Sequence, residues 1–358
     1  MRPEPRPELA RLSPAVHGGS DDPHVVDFST GVSPLRPPDE LLAAAHGADL
    51  SRYPHPTALP VREALAAMSG VAPDQIVAGA GSAELIWALT RAFAGPGRTG
   101  LVVSPAFGEY ARALNVAGAS LVDIAMSPPH FDFPTDAVAR ALDGSSIALA
   151  FVCRPSNPCL SAAPADALAA LARRNSRTLF VVDEAYLPMF EDACGVRLAA
   201  NVAILGSMTK VFALPGLRLG WLTADRDVAS AVQAALPPWN VSSPAQAAGV
   251  VAARLLPTHV APIRARIGVL RAALAARLAS IAESPARAGG PFLLYQHDQA
   301  AALAGGMRRR GVLVRHGASF GLPLHLRIGV RDETDQDALV EAWRSASDDL
   351  TSRVSSSR

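Results

Sequence analysis

Short, largely apolar runs rich in β-branched residues alternate along this chain with longer stretches in which Ala and Leu recur at helical spacing among Arg and Asp. The runs at Gln75–Ala78, Gly100–Val103, Ser120–Ile124, Ile147–Cys153, Thr178–Val182 and Val202–Leu205 predict strands. Several are apolar at consecutive positions, as strands buried on both faces must be. Between them, Ala83–Ala94, Glu109–Ala117, Pro164–Arg174 and Asp227–Ala235 predict helices. Strands alternating with helices predict an α/β fold with a mainly parallel sheet covered on both faces. Ligands of such sheets sit outside the carboxyl ends of the strands.

After Pro237-Pro238 the pattern changes. A long helical region runs from about Pro244 to Ala282. It is followed by a strand-like Phe-Leu-Leu-Tyr-Gln, a helix near Ala300–Arg310, strands around Val312–His316 and Leu324–Val330, and a helix near Asp335–Ser345. This predicts a smaller α+β domain, joined by the early segment Val25–Ser29. The expected division is a large domain over 46–239 and a small one built from 15–45 and 240–347. Residues 1–14 and 348–358 are polar and proline- or serine-rich, and are expected to be flexible tails.

Composition narrows the classes. The net charge of +1 gives no basic field for nucleic acid. No apolar run reaches the length of a membrane span, and the N-terminus lacks the apolar core of a secretory signal. Cys153, Cys159 and Cys194 are too few and too scattered for a disulfide framework or a zinc site, so they are expected to be reduced thiols in a cytoplasmic protein, and no metal is expected.

The chemistry concentrates at strand ends. Ser207-Met-Thr-Lys-Val-Phe-Ala-Leu-Pro-Gly-Leu-Arg-Leu-Gly220 follows an apolar strand and holds the chain's single lysine, Lys210. Hydroxyls of Ser207 and Thr209 precede it and Arg218 follows. A lysine can condense with a carbonyl once it gives up its proton, and the flanking hydroxyls and arginine suit a phosphate. The alternative is a solvated surface lysine. Asp183-Glu-Ala-Tyr186 ends another strand; Asp183 can pair with a protonated ring nitrogen, or merely cap a helix. Tyr186 and Asn157, in Cys153-Arg-Pro-Ser-Asn157-Pro158, can bond a ring oxygen; an Asn-Pro turn is the plainer reading. Gly81-Ser82-Ala83 lies between a strand and a helix, where backbone N–H groups approach anions. Phe107 can stack on a ring or fill a core gap. Each signal alone is ambiguous. In chain order they fit the parts of one ligand, pyridoxal 5′-phosphate (PLP): phosphate, ring face, ring oxygen, ring nitrogen and carbonyl.

These motifs closely resemble those of the fold type I, aspartate aminotransferase-like PLP enzymes, over about residues 15–345. Within that group two relatives stand out, the histidinol-phosphate aminotransferases and the threonine-phosphate decarboxylases of cobalamin biosynthesis. His17-Gly-Gly19, Asp27-Phe-Ser-Thr-Gly-Val-Ser-Pro34, Arg52-Tyr-Pro54, Phe107-Gly-Glu-Tyr-Ala-Arg-Ala-Leu114 and Pro238-Trp-Asn-Val-Ser242 are more similar to the second, as are Val312-Leu-Val-Arg315 and Leu326-Arg-Ile-Gly-Val-Arg331. The resemblance implies that Arg327 grips a substrate carboxylate and that Arg315 and His17 lie near a substrate phosphate. It also implies that Tyr53 reaches the cofactor of a partner subunit in a homodimer. Where the family has Asn-Asn-Pro-Thr-Gly, this chain has Ser156-Asn-Pro-Cys-Leu160. The expected activity is decarboxylation of a phosphorylated amino acid such as threonine phosphate. A histidinol-phosphate type aminotransferase is the alternative, and a non-catalytic PLP-binding or regulatory module is the reading from another class. A regulator of that kind usually carries a helix-turn-helix segment, and none is expected outside residues 15–345.

Overall fold

The structure, a computed structural model, describes residues 3–10, 12, 15–190 and 195–356. Its strands in chain order are β1 (Val26–Asp27), β2 (Ile76–Gly79), β3 (Thr99–Ser104), β4 (Ser120–Ala125), β5 (Ile147–Cys153), β6 (Leu179–Asp183), β7 (Val202–Ser207), β8 (Gly220–Thr223), β9 (Arg287–Gly289), β10 (Phe292–Gln296), β11 (Val312–Leu313), β12 (Arg315–His316) and β13 (His325–Gly329). Seven of them form one sheet in the order β2-β8-β7-β6-β5-β3-β4. Neighbours from β7 through β4 pair parallel, whereas β8 runs antiparallel to both β7 and β2.

Every residue of β2, β6 and β8 is buried, and so are all but Ala148 of β5 and all but Ile204 of β7. Helices on both faces account for this, and the near-continuous apolar runs of the sequence are the direct consequence. On one face Leu85 and Leu89, from the helix Ser82–Phe93, pack with Leu149, Phe151 and Val181; on the other, Leu168 and Leu171 pack with Ala150 and Phe180. Strand β8 was not foreseen, because it begins on the last residue of the lysine motif and its four residues are too few to show a period.

The second sheet is antiparallel, β12-β13-β10-β9, and β1 pairs parallel with β11 beside it. The helix Ser243–Leu278 does not simply open a smaller domain at residue 240, as the sequence suggested. Its first half packs with Val61, Leu65, Leu219 and Trp221, while Leu274 and Leu278 join Phe28, Leu293 and Trp343. One helix therefore belongs to both cores. The expected loose tails are also shorter than anticipated. Residues Pro7–Ala10 are helical, Arg6 Nη2 donates to the carbonyl of Val116 at 2.6 Å, and the last helix continues from Glu333 to Ser356. No helix among the described residues is long and apolar enough to cross a membrane.

Strand β8 brings its first residue, Gly220, against the turn before the helix Ser82–Phe93. A Cβ there would run into the backbone of Ser82 and Gly81. Gly220→Ala must displace main chain rather than a flexible side chain. It is expected to cost on the order of 1–3 kcal/mol, read as a lowered urea midpoint, with weaker PLP retention as a second consequence.

Candidate active site

Five strands of the large sheet deliver side chains to one edge. Gly81 and Ser82 follow β2, Phe107 follows β3, Asn157 follows β5, Asp183 ends β6, and Ser207, Thr209 and Lys210 lie at and beyond the end of β7. All of these line a small inner cavity whose floor also carries Tyr110, Cys153 and Ala185; Phe107, Asn157 and Lys210 also line an outer cavity of about 440 Å³. The outer cavity adds His17, Gly31, Glu109, Arg315, Phe320 and Arg327.

One wall of the inner cavity suits a phosphate. The helix Ser82–Phe93 begins there without a side-chain cap, Ser207 and Thr209 hold their hydroxyls 2.8 Å apart, and Arg218 sits with φ +54° so that its guanidinium crosses toward Gly81. A Cβ on Gly81 would meet Arg218 Nη2 at 2.6 Å, so the glycine makes room for the cation beside the turn. Uncapped N–H groups, two hydroxyls and a guanidinium form a donor set for a dianionic oxyanion.

Opposite lies an acid. Asp183 is buried, with Oδ1 accepting from the amide of Ala185 at 2.9 Å and Oδ2 from the Tyr110 hydroxyl at 2.7 Å. Burial raises its pKa, and the Tyr110 and Ala185 hydrogen bonds and the nearby Lys210 oppose that rise. Asn157 is fixed by its partner: Arg327 Nη1 donates to Asn157 Oδ1. Guanidinium nitrogens only donate, so the oxygen must face the arginine and the NH₂ group is left to donate elsewhere. Lys210 Nζ lies 5.7 Å from the centroid of the Tyr186 ring, which packs edge-on against Phe292. Phosphate cradle, ring-sized apolar slot, acid, amide donor and amine are the complement of PLP, so the residues present fit that cofactor.

The outer cavity is cationic on one side. Arg315 and Arg327 are directly opposite each other on β12 and β13, and both are buried. Arg327 donates to the Ser29 carbonyl and lies over the Phe292 ring at 4.4 Å; its Nε has no partner. Burial, more than its neighbours, brings its pKa down to about 10. Arg315 Nη2 donates to the Val16 carbonyl at 2.6 Å and to Ser319 Oγ at 2.7 Å. No carboxylate lies within ion-pair distance of either among the described residues. In the same cavity, Glu109 accepts from Trp87 Nε1 at 2.8 Å and sits 3.1 Å from His17 Nε2. His17 itself packs 5.5 Å from Phe107, centroid to centroid.

Of the residues singled out in the sequence, Tyr53 alone is not brought to these cavities. It is 83% exposed and packs on Trp239 at 5.0 Å. Glu109 and Tyr110 also line these cavities, a placement the sequence does not reveal, since nothing in the local pattern separates two inward helix positions from an ordinary core face. Cys153 and Cys159 are buried free thiols; Cys194 lies outside the described residues.

The family model for aminotransferase class I and II matches residues 23–342. The chain belongs to that family. This class I/II aminotransferase is 33% identical over 330 residues to a histidinol-phosphate aminotransferase of Symbiobacterium thermophilum, covering 90% of each chain. Its fold matches the PLP complex of histidinol-phosphate aminotransferase from Sinorhizobium meliloti with a TM-score of 0.86 at 20% identity, over 96% of this chain and 97% of that one. The L-threonine-O-3-phosphate decarboxylase of Porphyromonas gingivalis matches with a TM-score of 0.75 at 23% identity, over 88% and 97%. The protein is thus a PLP-dependent enzyme of the aspartate aminotransferase-like fold. The relatives favour the transamination alternative over the decarboxylation preferred from the sequence.

Next to Asp183, Glu184 is buried against Arg154 at 3.3 Å and accepts from the amide of Val196 at 2.8 Å. Burial raises its pKa to about 7 despite both partners. A raised carboxyl pKa means that the folded state holds more protons than the unfolded state between the ordinary value of 4.5 and about 7. The contribution of Glu184 to stability should therefore decline as pH rises through that window. The stability of the wild type relative to Glu184→Gln is expected to fall between pH 4.5 and pH 7.5, measured by urea midpoints at each pH.

Proposed function

We propose that this chain is a PLP-dependent aminotransferase of the histidinol-phosphate type, acting on a small amino compound that carries a phosphate. The observation that supports this reading most is the pair Arg315 and Arg327. Like charges directly across an antiparallel pair repel, and both are buried with no carboxylate within ion-pair distance among the described residues. An anionic substrate would relieve that repulsion. A single site with two guanidiniums also suits both halves of a transamination, since phosphate and carboxylate present similar oxygen geometry to an arginine fork.

Bound PLP supplies an electron sink for charge developing at the substrate Cα. Ser82, Ser207, Thr209 and Arg218, with the N–H groups after Gly81 and at Ala83, hold the phosphate end. Asp183 holds a proton on the ring nitrogen, Phe107 covers the ring, and Asn157 and Tyr186 donate to the ring oxygen. Lys210 Nζ takes the Cα proton and redelivers it. Arg327 orients a carboxylate or equivalent anion, and Arg315 with His17 receives the phosphate. Tyr53 and Trp239 are exposed aromatic residues in mutual contact. This pair supports a homodimer in which Tyr53 serves the partner's cofactor. Buried free thiols agree with work in the cytoplasm.

The deciding assay uses PLP-saturated protein with histidinol phosphate or threonine phosphate and no keto acid, followed by mass spectrometry. Stoichiometric keto product without CO₂ is expected from histidinol phosphate; catalytic CO₂ from threonine phosphate would make the protein a decarboxylase. Lys210→Ala should lower turnover by at least about 10³-fold and abolish borohydride-trapped cofactor, detected as a missing mass increment.

A further inference from the structure

The hydroxyl of Tyr110 is a buried polar group of the inner cavity that the proposed chemistry leaves unused. It lies at the floor of the inner cavity, on the helix Glu109–Val116, and the residue is fully buried. Its ring is held from two directions, stacked on Phe151 at 5.0 Å with planes 9° apart and edge-on to Phe107 at 5.8 Å. With the ring so fixed, the hydroxyl donates to Asp183 Oδ2 at 2.7 Å and also lies beside the Cys153 thiol. Oδ1 is already bound to the amide of Ala185, so both carboxylate oxygens are tied before any ligand arrives.

We propose that Tyr110 is a positioning residue for the cofactor, which holds the Asp183 carboxylate ionised and aimed into the inner cavity so that the ring nitrogen of PLP keeps its proton. The proposal rests on the assignment of Asp183 to that nitrogen. The physical argument is a competition for one proton. In a dry pocket a carboxylate and a pyridine nitrogen have comparable proton affinity, because burial penalises the charged carboxylate. Each hydrogen bond donated to the carboxylate stabilises its charged form and lowers its claim on the proton. Tyr110 and the Ala185 amide are the two such donors. The other ionisable groups that interact with Asp183 are Cys153, buried and held neutral with its thiol pushed up to about 12, Lys210, whose charge favours the carboxylate, and the neighbouring Glu184, which repels it when ionised. Without the Tyr110 hydroxyl the balance tips toward a neutral acid beside a neutral ring, a poorer electron sink.

The test is the holoenzyme loaded with PLP carrying ¹⁵N in the ring. Tyr110→Phe keeps both aromatic contacts and removes one oxygen, so it is expected to fold. Its nitrogen resonance should move from the pyridinium toward the neutral pyridine position, and PLP should dissociate about tenfold more readily. Phe151→Leu, which loosens the ring but leaves the hydroxyl, should keep the pyridinium signal. A wild-type signal in Tyr110→Phe, or an equal shift in Phe151→Leu, overturns the proposal. Asp183→Asn separates the two claims. If it leaves the resonance unmoved, the assignment of Asp183 fails; if it shifts the resonance and Tyr110→Phe does not, the role of Tyr110 alone fails.

Discussion

Parallel pairing of β5, β6 and β7 is the constraint on which the site depends. In register, Cys153 lies beside Asp183 and Asp183 beside Leu205, so the three strands end almost level. Parallel strands share a direction, and whatever follows their carboxyl ends emerges at one edge. That places the Asn157 loop, Asp183 and the Ser207–Lys210 segment side by side, although they span more than fifty residues of chain. A one-residue slip of β6 would turn Asp183 toward the opposite face of the sheet and leave a ring nitrogen without a partner. Antiparallel β8 completes the arrangement by running back beside β7 and bringing Arg218 to the same edge.

The electrostatics of the two cavities complement each other. The inner cavity holds acid, hydroxyls and one arginine at defined places, and the outer one holds two buried guanidiniums with no carboxylate of their own among the described residues. Burying a charge without a counterion opposes folding. Cation-on-ring packing over Phe292 and Phe320 and hydrogen bonds to the Ser29 and Val16 carbonyls offset part of that penalty. What remains is an affinity for anions built into the fold. Glu109, held by Trp87 and close to His17, adds a carboxylate to the same cavity.

The departure at Ser156-Asn-Pro-Cys-Leu160 has a structural account. Leu160 adopts φ +62°, the left-handed region that favours glycine, and glycine is the customary residue of the family there. The leucine side chain is buried in the cluster that contains Met189 and Phe190. Apolar burial there opposes the backbone strain. Cys159 is wholly buried beneath the same loop, where a small apolar side chain packs well. Asn157, between these changes, keeps its bond to Arg327.

The α/β class, the strands expected at 147–153, 178–182 and 202–205, which lie within two residues of the observed bounds, and the lysine, aspartate and phosphate motifs were legible in the sequence, because each depends on local pattern: apolar continuity, turn chemistry, and a single lysine set among hydroxyls. Strand β8 and the sharing of the helix Ser243–Leu278 between two cores were not. The first is too short to show a period, and the second depends on which surfaces the helix meets along its length. The opposition of Arg315 to Arg327, the tethering of Asp183 by Tyr110 and the closure of His17 on Glu109 join residues as far as 92 positions apart in the chain. Local chemistry therefore determined which groups this protein carries. Only the folded backbone, through strand register and helix packing, decided which of them face one another, because contact between distant residues is a property of the whole arrangement and leaves no periodic trace in any one segment.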